Sequence, residues 1–313
     1  MAYNSIISRT DTAALVPEQV SQEMLTNLQT AGSAALQLGT RIPVATNQTR
    51  FPILSALPTA YWVNGDTGLK QTSEAAWDNK YLNVEELATI IPIPEAVLDD
   101  TAFDVWGYLR PLMEEAIARA LDAAIFFGAS APASFPDDIV TAAVAAGNVV
   151  ARGTNDAAAG GLQGDISDLL ATLEADGYMP TGSVGNVTLK AKARGTRDVN
   201  GNRINAFEDL PGDPVFALPG LWPTGLSAAE LVVGAFRNMV VGVRRDMTYK
   251  LITEGVITDN STPPQVIYNL PQQDMVALRL VFRAGWEVSN PINYQEATEA
   301  NRYPFSVLRS PAA

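Results

Sequence analysis

Apolar residues recur at the spacing of an amphipathic helix near the start of the chain. Between residues 17 and 31, Val20, Met24 and Leu28 fall on one stripe, and the stretch starts at a proline and stops before a glycine. Proline fits the first position of a helix and glycine fits its end, so the pattern predicts a short amphipathic helix. Its apolar stripe needs a surface to pack against.

A second helical pattern covers residues 99–128 and is the longest in the chain. We expect Asp100 or Thr101 to be its N-cap, because either side chain can accept a hydrogen bond from the first turn, and Gly128 to end it. Pro111 has no amide hydrogen to donate within a helix. The sequence therefore predicts a bend at Pro111 or a break into two helices.

Alternation of apolar and polar positions predicts strands in the second half of the chain. A third helix, capped by Asp165 and ended by Gly177, precedes them, and residues 129–164 are predicted to be loops with short extended pieces. The predicted strands are 230–236, 238–243, 247–252 and 274–288. Helices and strands are mixed without repeats or heptads, so the predicted fold class is α+β.

Residues 55–93 are predicted to form a long two-stranded excursion, because a period of two residues runs along the second half with one phase shift. The polar, turn-rich part, residues 61–81, contains Trp62 and Trp77. Tryptophan has a large apolar surface, and this segment has no apolar run that could cover it. We therefore expect both tryptophans to pack against something outside the segment.

Composition narrows the possible chemistry. The chain has 313 residues, of which 47% are hydrophobic and 18% charged, as in globular proteins. It contains no cysteine and no histidine. The first absence excludes disulfides and thiolate nucleophiles, and the second excludes histidine general bases and the usual catalytic zinc sites. An enzyme built from this chain would have to rely on carboxylates, lysine, tyrosine or serine.

The formal net charge of −13 argues against a surface built to hold nucleic acid, because such surfaces neutralise phosphates with lysine and arginine. The first residues lack the basic and apolar regions of a signal peptide. No run approaches the roughly 18 apolar residues that a membrane span needs. We therefore expect neither secretion nor membrane association.

The order of the predicted elements carries a family resemblance over nearly the whole chain, and two stretches are its most specific part. They are AYWVNGDTGLKQTSEAAWDNKYLNVEELATIIPIPEAVLDD (60–100) and FDVWGYLRPLMEEAIARALDAAIFFG (103–128). They resemble the extended loop and the spine helix of the major capsid proteins of tailed bacteriophages, which have the Hong Kong 97-like fold. The resemblance implies four regions along this chain: an N-terminal arm (1–50), an extended loop (51–88), a peripheral domain with the spine helix (89–160 and 271–313) and an axial domain (161–270).

The resemblance also implies a structural function, with no catalytic residue and no cofactor. Subunits would self-assemble into pentamers and hexamers of an icosahedral shell that encloses double-stranded phage DNA without binding it specifically. The resemblance also allows portal, separate scaffold and decoration proteins as further partners. It places the subunit in the virion capsid and, during assembly, in the host cytoplasm. The extended loop would lie across a neighbour, and the implied subunit-interface residues are Trp62, Lys70, Trp77, Lys80, Val20, Met24 and Leu28.

Some members of this family link their shells covalently, through a lysine of the extended loop and an asparagine of a neighbour, assisted by a glutamate. Lys70 and Lys80 are present here, but the positions matching the other two groups fall at Asp274 and Val281. A carboxylate is a poor acceptor for a lysine, and valine cannot take its proton. If the alignment with the family is shifted by a few residues, Asn269 takes the position of the asparagine. We expect a shell without covalent links.

Two alternatives remain open at this point. An encapsulin-like nanocompartment shares the resemblance but encloses enzymes, so its particles would hold cargo protein and no genome. A carboxylate hydrolase without histidine, with the segment GDTG or DVNGNR at its cleft, would be a monomer that cleaves a glycan.

Overall fold

The computed structural model describes residues 32–63, 69–101 and 104–311. The helix predicted between residues 17 and 31 lies outside these ranges, together with Val20, Met24 and Leu28. The helices are α1 (Ala34–Leu38), α2 (Glu95–Asp100), α3 (Val105–Phe127), α4 (Ile139–Ala145), α5 (Leu162–Ala175) and α6 (Val187–Gly195). The strands are β1 (Thr40–Pro43), β2 (Gln48–Ala56), β3 (Ala76–Asn83), β4 (Glu85–Pro94), β5 (Val149–Ala151), β6 (Gly182–Gly185), β7 (Val215–Phe216), β8 (Ala229–Gly234), β9 (Met239–Ile252), β10 (Val256–Thr258), β11 (Val266–Asn269), β12 (Met275–Val288) and β13 (Phe305–Arg309).

Four strands form one sheet in the order β1-β9-β12-β4, in which β1 runs parallel to β9 and the other pairs are antiparallel. β12 lies between two neighbours and is buried along nearly its whole length. Leu278, Leu280, Phe282 and Trp286 of this strand share a core with Met113 and the other buried apolar residues of α3. The sheet and the long helix thus bury their apolar faces against each other.

A second sheet has five strands in the order β5-β13-β8-β6-β7. Side chains of β8 alternate between two cores, as the pleat of a strand requires. Leu231 and Val233 pack with the apolar faces of α5 and α6, whereas Val232 belongs to the core that α3 lines. The predicted mixture of helix and sheet is confirmed. We call the two sheets and the helices packed on them the body.

The excursion predicted at 55–93 has different bounds. β2 and β3 pair antiparallel from Gln48 opposite Asn83 to Ala56 opposite Ala76, so the hairpin covers 48–83. β4 does not continue it but pairs with β12 in the four-stranded sheet. The phase shift in the sequence marks the residue at which the chain leaves one sheet for another. β10 and β11 form a separate two-stranded ribbon.

The long helix begins later than predicted. The segment Glu95–Asp100 forms the short helix α2, so the N-cap of α3 is Asp104, whose carboxylate accepts a hydrogen bond from the Gly107 amide at 3.0 Å. Neither Asp100 nor Thr101 caps it. Gly128 ends it in the left-handed conformation, as predicted. The helix runs through Pro111 as one element, so of the two predicted outcomes the break does not occur and the bend stays a prediction.

Three other local predictions need correction. Residues 129–164 contain the helix α4, which was not predicted, whereas the short strand β5 agrees with the short extended pieces expected there. Asp165 is not an N-cap: α5 begins after Gly161, and the buried Asp165 carboxylate accepts hydrogen bonds from the Gly153 and Asn155 amides at 2.6 and 2.8 Å. The two strands predicted at 238–243 and 247–252 are one strand, β9, because pairing with β12 continues across the residues between them.

Candidate subunit interface

The β2–β3 hairpin ends in a tip whose described residues, 57–63 and 69–75, lie outside its strand pairing. Trp62 in this tip is 100% exposed and Leu69 is 89% exposed. Trp77, at the start of β3, is 67% exposed. Large exposed apolar patches mark interaction sites in soluble proteins. The subunit by itself therefore does not bury the two tryptophans.

A few side-chain hydrogen bonds hold the two arms of the tip together. The Tyr61 hydroxyl donates to the carbonyl oxygen of Gln71 at 2.8 Å. The Thr59 amide donates to the Ser73 hydroxyl oxygen at 2.7 Å. These bonds leave the apolar side chains free for contact with another surface.

Two glycines let the hairpin join the body at close range. Gly242 of β9 and Gly285 of β12 are paired directly, and the fully buried Leu82 lies over both. A Cβ on Gly242 would lie 2.8 Å from the Leu82 side chain, and a Cβ on Gly285 would lie 2.8 Å from the carbonyl carbon of Asn83. Both distances are shorter than real Cβ contacts. Only glycine therefore fits where the end of β3 crosses the sheet.

Lys80 connects β3 to the body through an ion pair. Its Nζ lies 3.0 Å from a carboxylate oxygen of Glu299, and both side chains are partly exposed. Burial raises the pKa of Glu287, and the Lys80 charge offsets part of that rise. Lys80 thus acts on two carboxylates of its own subunit. Lys70, in contrast, lies exposed in the tip.

The segment after β12 supports the other strand of the hairpin. The Ile292 amide donates to the Leu54 carbonyl oxygen at 3.1 Å, and the Tyr294 hydroxyl donates to the Pro58 carbonyl oxygen at 3.2 Å. Sequence reasoning identified Lys80 but missed this segment and Glu299. No local pattern links positions that lie more than 200 residues apart.

The positions considered for a covalent link lie just before β12 and inside it. Asp274 precedes β12 with a φ of 47°, and its carbonyl oxygen accepts a hydrogen bond from Glu95 at 2.9 Å. Val281 is buried inside β12, paired with Ala88 on one side and Thr248 on the other. Valine has no group that could take a proton from a lysine.

A buried carboxylate fixes the start of the described chain to the long helix. Asp122 of α3 accepts hydrogen bonds from the Ser33 hydroxyl and from the amides of Ala34 and Ala35, at 2.7 and 3.1 Å for the two amides. Burial raises the pKa of Asp122, although these hydrogen bonds lower it. The carboxylate therefore satisfies the first amides of α1.

Motifs that would suggest an enzyme have structural explanations or lie outside the described residues. DVNGNR forms a tight turn in which the Asp198 carboxylate accepts from the amide and the side chain of Asn202, and Gly201 has a φ of 84°. GDTG falls outside the described ranges. Within those ranges, no acidic group of three or more residues could hold a metal ion, and every helix is too short or too polar to cross a membrane.

A family model described as "Phage capsid family" matches residues 12–293. The chain belongs to the phage capsid family. It is 25% identical over 291 residues to the major capsid protein of Staphylococcus phage 80alpha, a match that covers 92% of this chain and 85% of that relative. The resemblance found in the sequence is confirmed, and this member of the phage capsid family is a structural subunit of a capsid shell.

Solved structures agree along nearly the whole chain. A structure from Microbacterium phage Oxtober96 is 33% identical with a TM-score of 0.84, and the match covers 98% of this chain and 100% of that one. A structure from Mycobacterium phage Cain is 30% identical with a TM-score of 0.85, and the match covers 99% of this chain and 100% of that one. The arrangement of helices and sheets is thus that of other phage proteins.

Proposed function

We propose that the chain assembles into pentamers and hexamers of an icosahedral shell with the Hong Kong 97-like fold. The observation that carries this proposal is the fully exposed Trp62, at the tip of a hairpin that is fixed firmly to the body at its base. An aromatic side chain in that position gains burial only from another molecule. Membership of the phage capsid family makes a second copy of this chain the natural partner.

The interface would include both tryptophans and both lysines of the extended loop, Trp62, Lys70, Trp77 and Lys80. The helix bearing Val20, Met24 and Leu28 would add a second apolar contact, because its stripe needs a partner surface. Ordering about 30 residues of loop costs on the order of 30 to 60 kcal/mol of backbone entropy if the loop starts disordered. At about 25 cal/mol per Å², only a large buried area on a neighbour offsets that cost.

The proposed regions follow the family pattern: an N-terminal arm (1–50), an extended loop (51–88), a peripheral domain with the spine helix (89–160 and 271–313) and an axial domain (161–270). Under this division α3 falls in the peripheral domain, and α5 and α6 fall in the axial domain. Both sheets cross the proposed bounds: β9 of the axial range pairs with β12 of the peripheral range, and β13 of the peripheral range pairs with β8 of the axial range.

The proposed content of the shell is double-stranded phage DNA, enclosed without specific binding. A net charge of −13 per subunit supports this, because an acidic wall does not hold phosphate and lets the genome move during packaging. Under this proposal the subunit acts as a structural protein without catalysis, first in the host cytoplasm and then in the virion. Portal, scaffold and decoration proteins would be separate chains.

Light scattering and negative-stain microscopy of the purified chain test the proposal. We expect capsomer rings or shells of megadalton mass, and a chain that stays monomeric at all concentrations would contradict it. Replacing residues 58–74 by an Asn-Gly turn keeps every β2–β3 pair and removes the tip. This variant should fold but fail to form shells. Particles from a producing cell that held protein cargo and no genome would favour the encapsulin-like alternative.

We also propose that the shell is held without covalent links. Asp274 and Val281 lack the amide and the base that such a link requires, and Lys80 already pairs with Glu299. Mature particles boiled in detergent should give one band near 33.4 kDa on a denaturing gel. A ladder of linked pentamers and hexamers would show that this proposal is wrong.

A further inference from the structure

A cluster of positive charge interrupts an otherwise acidic chain. Five of the 21 lysines and arginines lie between Lys190 and Arg203, where Asp198 is the only acidic residue. α6 and the turn that follows it carry these cations. Because the whole subunit has a net charge of −13, this local excess needs an explanation.

Three of these cations surround one cavity. Lys190, Arg194 and Arg203 line a volume of about 400 Å³, together with the apolar side chains of Ile204 and Phe207. Among the described residues, no carboxylate lies within 4 Å of these three cationic groups; the ion pairs of this part of the chain involve other lysines and arginines. We call this cavity the cationic pocket.

Positively charged side chains in and beside the cationic pocket lie close to one another. Lys190 and Arg194 are four residues apart on α6, so their charges lie on the same helix face. Arg203 is paired with Arg197 in an antiparallel bridge, which places two arginines opposite each other. Like charges in either arrangement destabilise a fold. An anionic partner outside the described subunit would remove this repulsion.

The pocket lies at one edge of the five-stranded sheet. Nζ of Lys190 lies 5.2 Å from the ring centre of Phe216 in the edge strand β7, and the Phe207 and Phe216 ring centres are 6.2 Å apart. The opposite edge strand is β5, and α5 packs against β5 and β13. The exposed residues of α5 include Asp168 and Glu174, and this helix has no lysine or arginine. Within its own subunit the Asp168 carboxylate also accepts a hydrogen bond from the Asn155 side-chain amide at 2.7 Å.

We propose that the cationic pocket binds the exposed face of α5 in an adjacent copy of this chain, through Asp168 and Glu174. The inference rests on the proposed assembly into rings and adds the contact that closes them. A contact between opposite edges of successive copies is heterologous, and such contacts generate rings when the rotation closes. Complementary charge sets the register of the two copies and disfavours other pairings.

A second copy fits the pocket better than packaged DNA does. The pocket is concave and partly apolar, which suits individual acidic side chains, whereas a duplex presents a convex row of phosphates. The chain as a whole has a net charge of −13, which repels a polyanion. Carboxylates of neighbouring copies are also present at fixed, high local concentration within a shell.

Charge reversal of the full chain tests the proposal. Lys190→Glu with Arg194→Glu should raise the concentration needed for half-maximal capsomer formation by roughly tenfold or more, because exposed ion pairs become repulsive contacts. The matched control, Arg237→Glu with Lys250→Glu, reverses two exposed charges outside the pocket and should assemble as the wild type does. Adding Asp168→Lys and Glu174→Lys to the pocket variant should restore assembly.

Normal assembly of the pocket variant, or a defect that the α5 reversal does not repair, would overturn the inference. Failure of the wild-type chain to assemble would instead reject the proposed function. If the pocket variant assembles normally but loses retention on duplex DNA at low salt, the pocket serves DNA and the inference is wrong.

A cross-linking experiment keeps the test independent of charge reversal. The chain has no cysteine, so Arg194→Cys combined with Glu174→Cys introduces the only thiols. Capsomers treated with a short bismaleimide should then give a ladder of linked subunits on a denaturing gel, whereas each single-cysteine variant should stay monomeric. The absence of a ladder from assembled double-cysteine particles would contradict the proposed contact.

Discussion

Trp286 and Trp62 show that the body and the hairpin tip differ in how far the single chain buries their large apolar side chains. Trp286 in β12 is 1% exposed and packs in the core shared with α3. Trp62 in the tip is 100% exposed. Burying a large aromatic side chain contributes about 1.5 to 3 kcal/mol, so the two residues offer similar gains in different places. The body obtains that gain within one chain, and we propose that the tip obtains it by assembly.

This difference separates two kinds of stability. The free energy of unfolding of the subunit depends on the body, because the exposed tip contributes little that unfolding could remove. Under the proposed assembly, the free energy of association depends on the tip, because a neighbour buries its apolar area. Substitutions in the two regions should therefore have effects that can be measured separately.

The largest effect should come from exchanging the two tryptophans for alanine one at a time. Trp286→Ala should lower the free energy of unfolding by about 3 to 5 kcal/mol, because it leaves a cavity in the core. Trp62→Ala should change it by less than about 0.5 kcal/mol but weaken assembly. Urea denaturation of subunits and light scattering of assembly measure the two quantities. Equal losses of unfolding free energy would contradict the comparison.

A smaller effect should follow from a methyl group at the base of the hairpin. Gly285→Ala places a Cβ against the Asn83 carbonyl, so we expect a loss of about 1 to 3 kcal/mol in the free energy of unfolding. The matched control is Gly195, which lies in α6 and has open space where a Cβ would be added. Gly201 would not serve, because its positive φ would itself strain an alanine. Gly195→Ala should leave the subunit as stable or more so.

The Asp122 carboxylate should make stability depend on pH. Its pKa in the folded state is raised above the ordinary value of 3.8, so the folded chain holds the proton more tightly than the unfolded chain does. Its contribution to stability is therefore greatest below pH 3.8 and is lost as the pH rises through the raised pKa. Asp122→Asn should remove that part of the slope while costing about 1 to 3 kcal/mol, because asparagine has one acceptor oxygen where the carboxylate uses two. Equal slopes in the two proteins would contradict this assignment.

The smallest effect should come from the ion pair at the hairpin. Lys80→Met removes a partly exposed pair, so we expect a loss of only about 0.2 to 1 kcal/mol, seen as faster amide exchange in β3. Lys70→Met is the matched control, because Lys70 lies in the tip outside the β2–β3 ladder. If both substitutions change exchange in β3 equally, the Lys80–Glu299 pair does not hold the hairpin.

Local patterns were sufficient to predict the features that depend on nearby residues. Trp62 and Trp77 are conspicuous in the sequence because no apolar run surrounds them, and Gly128 marks the end of α3 because a left-handed residue follows many helices. The strand β12 was recognised from its apolar residues. Each of these signals lies within a window of about 15 residues.

Features that depend on register between distant segments could not be predicted. Gly285 is necessary because Leu82 and Asn83 cross β12, and Glu299 matters because Lys80 reaches it. Helix α6 could not be predicted from apolar periodicity, because only Leu189 and Ala193 of its residues are buried. In each case the deciding contact joins parts of the chain that the sequence pattern cannot relate.

Oxidative footprinting of tryptophan, read residue by residue by mass spectrometry, tests the central claim most directly. Free subunits and assembled shells would be exposed to the same dose of hydroxyl radicals. We expect the oxidation rates of Trp62 and Trp77 to fall at least roughly tenfold on assembly, because a neighbour covers them, while buried Trp286 stays unreactive in both states. Equal oxidation of Trp62 in free subunits and in shells would contradict the claim that assembly buries the tip.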